Sequence, residues 1–102
     1  MIKKTTPLEA DRVNAPIDGR IMFSNNRTES ILLTLQPGEI IPSHKNPFDV
    51  LFIGLSGTAT LTSEEKSMTV EPCETVFISS DEPRQMENKT SDTARIMVVK
   101  LL

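Results

Sequence analysis

Turn-forming residues interrupt this chain about every 8 to 12 positions, a spacing that leaves little room for helices and belongs to an all-β sandwich or barrel. The breaks are Asp18-Gly19, Ser24 to Thr28, Pro37-Gly38, Asn46-Pro47, Ser63 to Glu65, Pro72 to Glu74, Ser79 to Pro83 and Asn88 to Asp92. Between them lie nine β-type runs: Arg20 to Phe23, Glu29 to Leu35, Glu39 to Ser43, Asp49 to Ser56, Thr58 to Thr62, Lys66 to Val70, Thr75 to Ile78, Arg84 to Glu87 and Ala94 to Leu101. A chain of 102 residues holds one hydrophobic core, so all nine runs belong to one domain. Residues 1–19 read as an N-terminal arm and residues 20–102 as the barrel. In the arm, Thr6-Pro7-Leu8-Glu9 offers an N-cap, a proline at the first helical position and a glutamate at the third, so one short helical turn at most is expected.

Several runs alternate as half-buried strands do: Thr58 to Thr62, Ser67 to Val70, and the Ile31, Leu33, Leu35 set. Two others, Val50 to Leu55 and Ile96 to Val99 with Leu101 and Leu102, are apolar on both faces, and each face needs a cover. The economical cover is a second copy of the chain, so a homodimer is expected.

The charge pattern narrows the partners. With a net charge of -3 and eleven scattered Lys and Arg, there is no footprint for a phosphate backbone. The absence of Trp and Tyr removes the usual base-stacking platforms, so no nucleic-acid partner is expected. No apolar run approaches the ~20 residues of a membrane span, and the first residues lack the apolar stretch of a signal peptide. The expectation is a cytoplasmic protein without a membrane partner. A lone Cys73 supplies neither an internal disulfide nor a thiolate cluster, and it has no basic residue beside it in the sequence, so it reads as structural.

The segment from Gly38 through His44, Asn46 and Asp49 to Gly57, followed by Cys73, Ser79, Asp81, Arg84 and Asn88, resembles the two sequence motifs of the cupin superfamily. In the first motif Gly38, His44 and Gly57 match; in the second only Asn88 does. The resemblance spans about half of the chain and implies a small single-domain cupin with degenerate metal-binding motifs. The implied fold is an all-β, cupin-type jelly-roll barrel.

Cupin metal sites resemble a cage of two or three histidines and a glutamate around a transition metal. Here the first histidine position holds His44, the second Asn46, the glutamate position Val50 with Asp49 beside it, and the histidine position of the second motif holds Arg84. Arginine is permanently charged and has no acceptor, so it cannot ligate a cation. No cofactor is therefore favoured. If one binds, the resemblance implies a divalent transition metal (Fe, Mn, Ni or Zn) held by His44, Asn46 and Asp49. Strand parity opposes Asp49 in that role, since it places Val50 inward and Asp49 on the other face.

The same parity sets Arg84, Met86 and Asn88 on one face, which the resemblance makes the barrel interior. His44 then reads either as a group lining the barrel mouth or as a hydrogen-bonded strand-end histidine. Arg84 reads either as an anion clamp or as the partner of an internal carboxylate such as Asp49, because an unpaired buried guanidinium is costly. Met22, Met68 and Met97 read as packing. The favoured reading is a barrel that binds a small, anionic molecule between Arg84, His44 and Asn46, with Phe52, Phe77 and Met86 as apolar walls. His44 would add a second donor only in its imidazolium form. Two alternatives stand beside it: a metal-dependent isomerase, lyase or dioxygenase, and a structural subunit closed by an Arg84 to Asp49 pair.

Overall fold

The computed structural model describes residues 1–64 and 66–102. Ten strands form among them: β1 (Asp11–Arg12), β2 (Asp18–Ser24), β3 (Thr28–Leu35), β4 (Ile40–His44), β5 (Asp49–Ser56), β6 (Ala59–Ser63), β7 (Lys66–Val70), β8 (Thr75–Ile78), β9 (Arg84–Glu87) and β10 (Ala94–Leu101). The nine expected runs are all strands, with ends shifted by a residue or two. Glu65, the last residue of the expected Ser63 to Glu65 break, lies outside the described residues. The added strand, β1, is a two-residue pairing of Asp11 with Ile21 and Arg12 with Arg20, too short to leave an alternation in the sequence. In the arm, the Glu9 and Ala10 amides both donate to the Thr6 carbonyl, at 3.1 and 3.0 Å, which makes one isolated turn.

Two antiparallel sheets face each other, one ordered β1-β2-β3-β10-β5-β8 and the other β4-β9-β6-β7. Alternation within each strand decides what enters the space between them. Ile31 and Leu35 of β3, Val50 and Phe52 of β5, Ala59 and Leu61 of β6, Ile78 of β8, Met86 of β9, and Ile96 and Val98 of β10 form one buried cluster with Val70 of β7 and Ile17 of the arm.

The outer faces differ sharply. On the four-stranded sheet they carry Gln85, Glu87, Thr60, Thr62 and Thr69, polar side chains; the opposite side is buried at Arg84 and Met86 of β9, at Ala59 and Leu61 of β6 and, on β7, at Val70. On the six-stranded sheet, the register lines up Phe23, Ser30, Val99, Leu51 and Phe77 in one row, and Leu32, Met97 and Ile53 in the next. Within this apolar face Phe77 is 57%, Leu55 46% and Leu101 43% exposed. The arm crosses it at one end, where Arg20 donates to the Pro7 carbonyl at 3.3 Å beside Leu32, which is buried.

Two backbone contacts hold the β7–β8 turn against the sheet. The Cys73 amide donates to the Gly54 carbonyl at 3.0 Å, and the Gly54 amide to the Glu74 carbonyl at 2.8 Å. A Cβ on Gly54 would lie 2.0 Å from the Glu71 carbonyl oxygen, so only glycine permits this approach. Cys73 itself is exposed and has a φ of 70°, the left-handed conformation that glycine ordinarily supplies, at a place where the cupin pattern has glycine.

Candidate functional site

Between the two sheets lies a cavity of about 290 Å³, bounded by the arm from Val13 to Ile17 and by β4. Of the residues anticipated for a binding site, it brings together His44, Asn46, Phe52, Arg84 and Met86. Phe52 and Met86 are buried walls of it, Met86 on the face shared with Arg84.

Arg84 dominates the site. It opens β9, where alternation with Met86 turns both side chains inward, and it is only 2% exposed. Its Nε has no hydrogen-bond partner among the described residues, and one terminal nitrogen reaches the Glu82 carbonyl at a long 3.4 Å. The guanidinium carbon stands 5.8 Å from the centre of the Phe52 ring, within cation–π range. Burial pulls the Arg84 pKa down from its ordinary value, because the charged form has lost water. Arginine starts so far above neutrality that the group remains a cation.

The anticipated Arg84 to Asp49 pair is absent, and its physical reason is parity. Val50 takes the buried position, so Asp49 faces away and its Oδ1 accepts the Ser80 amide at 2.8 Å. Among the described residues the ion pairs are Arg20 with Asp18 and Lys100 with Glu29, and neither involves Arg84. The structural-subunit alternative loses the contact on which it rested.

His44 is the register partner of Arg84 across β4 and β9, but it is exposed at the rim. Its Nδ1 lies 3.0 Å from the Pro42 carbonyl. Since a carbonyl only accepts, Nδ1 carries the proton there and Nε2 remains available. Asn46 is half-buried at the same rim, where its backbone carbonyl accepts the Asp81 amide at 2.7 Å and ties the β4–β5 loop to the β8–β9 loop.

A transition metal does not fit these side chains. His44 and Asn46 border the cavity, Asp49 is turned onto Ser80, and the fourth corner of the cupin cage is the cationic Arg84. No cluster of three or more histidine, cysteine, aspartate or glutamate side chains suited to a metal occurs among the described residues. An arginine at that corner repels an ion that the two remaining neutral groups would bind weakly.

Phe77, anticipated as a cavity wall, is not one. Its register partner is Leu51, and both stand on the outer side of the six-stranded sheet while Val76 and Ile78 turn inward. Phe77 instead borders a wider, more open depression of about 610 Å³ between β7 and β8, which also touches Met68, Lys66 and Glu82 but none of the polar groups of the barrel interior.

Lys100 also lines the cavity, a role the sequence motifs do not assign to it. Counting alternately from Ile96 and Val98 along β10 places it inward, and that count is the signal the sequence offers. Its ammonium lies 3.1 Å from Glu29 Oε1 and 5.8 Å from the centre of the Phe48 ring. The hydrophobic arm residues Val13 and Ile17 are likewise walls that nothing in the motifs points to.

Comparison with known proteins places this geometry in a family. Residues 31–100 match the family described as the cupin domain. No curated protein is a significant match. Among solved structures, the polyketide cyclase RemF from Streptomyces resistomycificus superposes with a TM-score of 0.86 at 20% identity, covering 99% of this chain and 80% of the other. A protein from Thermus thermophilus gives 0.83 at 20% identity, over 99% and 97% of the two chains. A predicted oxalate decarboxylase from Thermotoga maritima gives 0.78 at 18% identity, over 84% and 80%. Likeness at such identities establishes the architecture and leaves the chemistry to the site.

Proposed function

The chain belongs to the cupin domain family, and from that premise we propose that it binds a small anionic molecule inside its barrel, with Arg84 as the anchoring cation and without a complete metal site. One observation carries this reading: Arg84 is 2% exposed, and its Nε has no partner among the described residues. A buried, unpaired guanidinium is among the costliest arrangements a small domain can hold. A carboxylate or phosphate entering the cavity would accept from Nε and a terminal nitrogen together, the bidentate geometry that arginine supports best. At the rim the Asn46 side-chain amide can donate to such a ligand, Nε2 of His44 can do so only in the imidazolium form, and Phe52 and Met86 pack against it.

The test is a thermal-shift panel of small carboxylates and phosphates on wild type and Arg84→Met side by side. The reading expects at least one compound to raise the melting temperature of wild type and to leave Arg84→Met unchanged. If no compound moves wild type, or both proteins respond equally, Arg84 is not an anion anchor.

The contrast between the outer faces supports a homodimer joined through the six-stranded sheet, since an isologous contact would cover Phe77, Leu55 and Leu101 of both copies. An exposed, unpaired Cys73 suits a reducing compartment such as the cytoplasm. No helix among the described residues is long and apolar enough to cross a membrane.

A further inference from the structure

Two cations border the barrel cavity, and they differ in how they are compensated. Lys100 is held by Glu29 at 3.1 Å, and Glu29 is fixed in turn by the Ser24 hydroxyl, which donates to its other oxygen at 3.1 Å. Arg84 has no such carboxylate among the described residues. The interior therefore has one positive charge to offer a ligand. Apart from Lys100 and the rim residues His44 and Asn46, the walls away from Arg84 are hydrocarbon, with Ile17, Ile31, Leu33, Val98, Phe52 and Met86 among them. A second carboxylate on the ligand would lie against those side chains with no uncommitted cation to neutralise it, since Lys100 is already paired with Glu29.

Resting on the anion-binding reading above, we propose that the cavity selects an amphipathic monoanion, a monocarboxylate whose single charged end meets Arg84 and whose hydrocarbon body fills the space toward Ile17, Leu33 and Val98. The cavity of about 290 Å³ holds roughly ten non-hydrogen atoms at the interior packing density of ~0.74. Octanoate and benzoate are of that size; acetate leaves most of the hydrocarbon wall uncovered. Selectivity against dicarboxylates comes from Glu29, which removes Lys100 from competition for a second carboxylate.

Isothermal titration of the purified full chain with acetate, octanoate, suberate and inorganic phosphate tests this directly. Octanoate is expected to bind at least tenfold more tightly than acetate and at least tenfold more tightly than suberate. In Glu29→Gln, which frees Lys100, the gap between octanoate and suberate is expected to narrow. Circular dichroism of that variant checks that it is folded, and the wild-type series decides the main claim without it. If acetate or phosphate binds as tightly as octanoate and Arg84→Met abolishes both, the anion site stands and selection of a hydrocarbon body is overturned. Equal binding of suberate and octanoate overturns it too. If octanoate binds Arg84→Met as well as wild type, or if none of the four binds wild type, the anion-binding reading falls with it. An unchanged gap in folded Glu29→Gln refutes the role given to Glu29.

Discussion

The guanidinium of Arg84 sits 5.8 Å from the centre of the Phe52 ring and pairs with no carboxylate among the described residues, so a buried cation in this barrel rests on an aromatic face. A cation–π contact contributes about 2 kcal/mol when desolvated, which is smaller than the several kcal/mol needed to strip a guanidinium of water. The imbalance means that Arg84 is kept at the expense of stability.

Replacing Arg84 by methionine should accordingly stabilise the ligand-free protein. Methionine retains most of the volume and adapts to an apolar cavity, and exchanging a poorly compensated buried charge for packed hydrocarbon gains about 1–4 kcal/mol. For a domain of this size each kcal/mol moves the melting temperature by about 4–8 °C. Differential scanning calorimetry without ligand should show Arg84→Met melting at or above wild type. A variant that melts several degrees lower would identify a structural partner for Arg84 and remove the premise of an anion site.

Transition-metal content should be low. His44 and Asn46 are the neutral groups near the cage position, and Asp49 is committed to the Ser80 amide. Protein expressed without an affinity tag and dialysed against a mild chelator should retain far less than one equivalent of Fe, Mn, Ni or Zn by elemental analysis. Retention of about one equivalent would contradict the geometry assigned to Asp49 and Arg84.

The apolar outer face of the six-stranded sheet makes a separate prediction. Sedimentation at tens of micromolar should give a species of twice 11.3 kDa. Phe77→Lys and Leu55→Lys place a charge where each side chain is about half exposed, so they should yield monomers that keep their fold. A wild-type monomer at that concentration, or a dimer indifferent to both changes, would show that this face is not the contact.

Much of the fold is legible in the sequence because strand alternation and turn chemistry agree along the chain. Val50 and Asp49 take the faces that parity assigns, as do Arg84, Met86 and Asn88. Asn88 is fully buried, where its amide nitrogen donates to the Leu35 and Asp92 carbonyls at 2.9 and 2.7 Å and its oxygen accepts the Thr90 amide at 2.9 Å. Phe77 is misplaced by sequence reasoning because Val76, Phe77 and Ile78 are all apolar, so composition does not choose a face; the pairing of Leu51 with Phe77 does. Lys100 escapes it for the opposite reason, since a charged residue near a strand end reads as solvent-facing even where the count from Ile96 and Val98 turns it inward. The partner of Arg84 is not legible at all. An arginine in a barrel demands a counter-anion; parity already turns Asp49 away from it, and the structure agrees while bringing no other carboxylate to Arg84 among the described residues.

The most direct measurement is the side-chain Nε–Hε resonance of Arg84 in nitrogen-labelled protein, identified by its loss in Arg84→Met and followed as benzoate is added. This proton has no acceptor among the described residues, so the account predicts that benzoate shifts it strongly downfield, more than the corresponding signals of Arg12, Arg20, Arg27 and Arg95. An Arg84 signal that stays in place at saturating benzoate, or one already shifted and protected in the ligand-free protein, would contradict it.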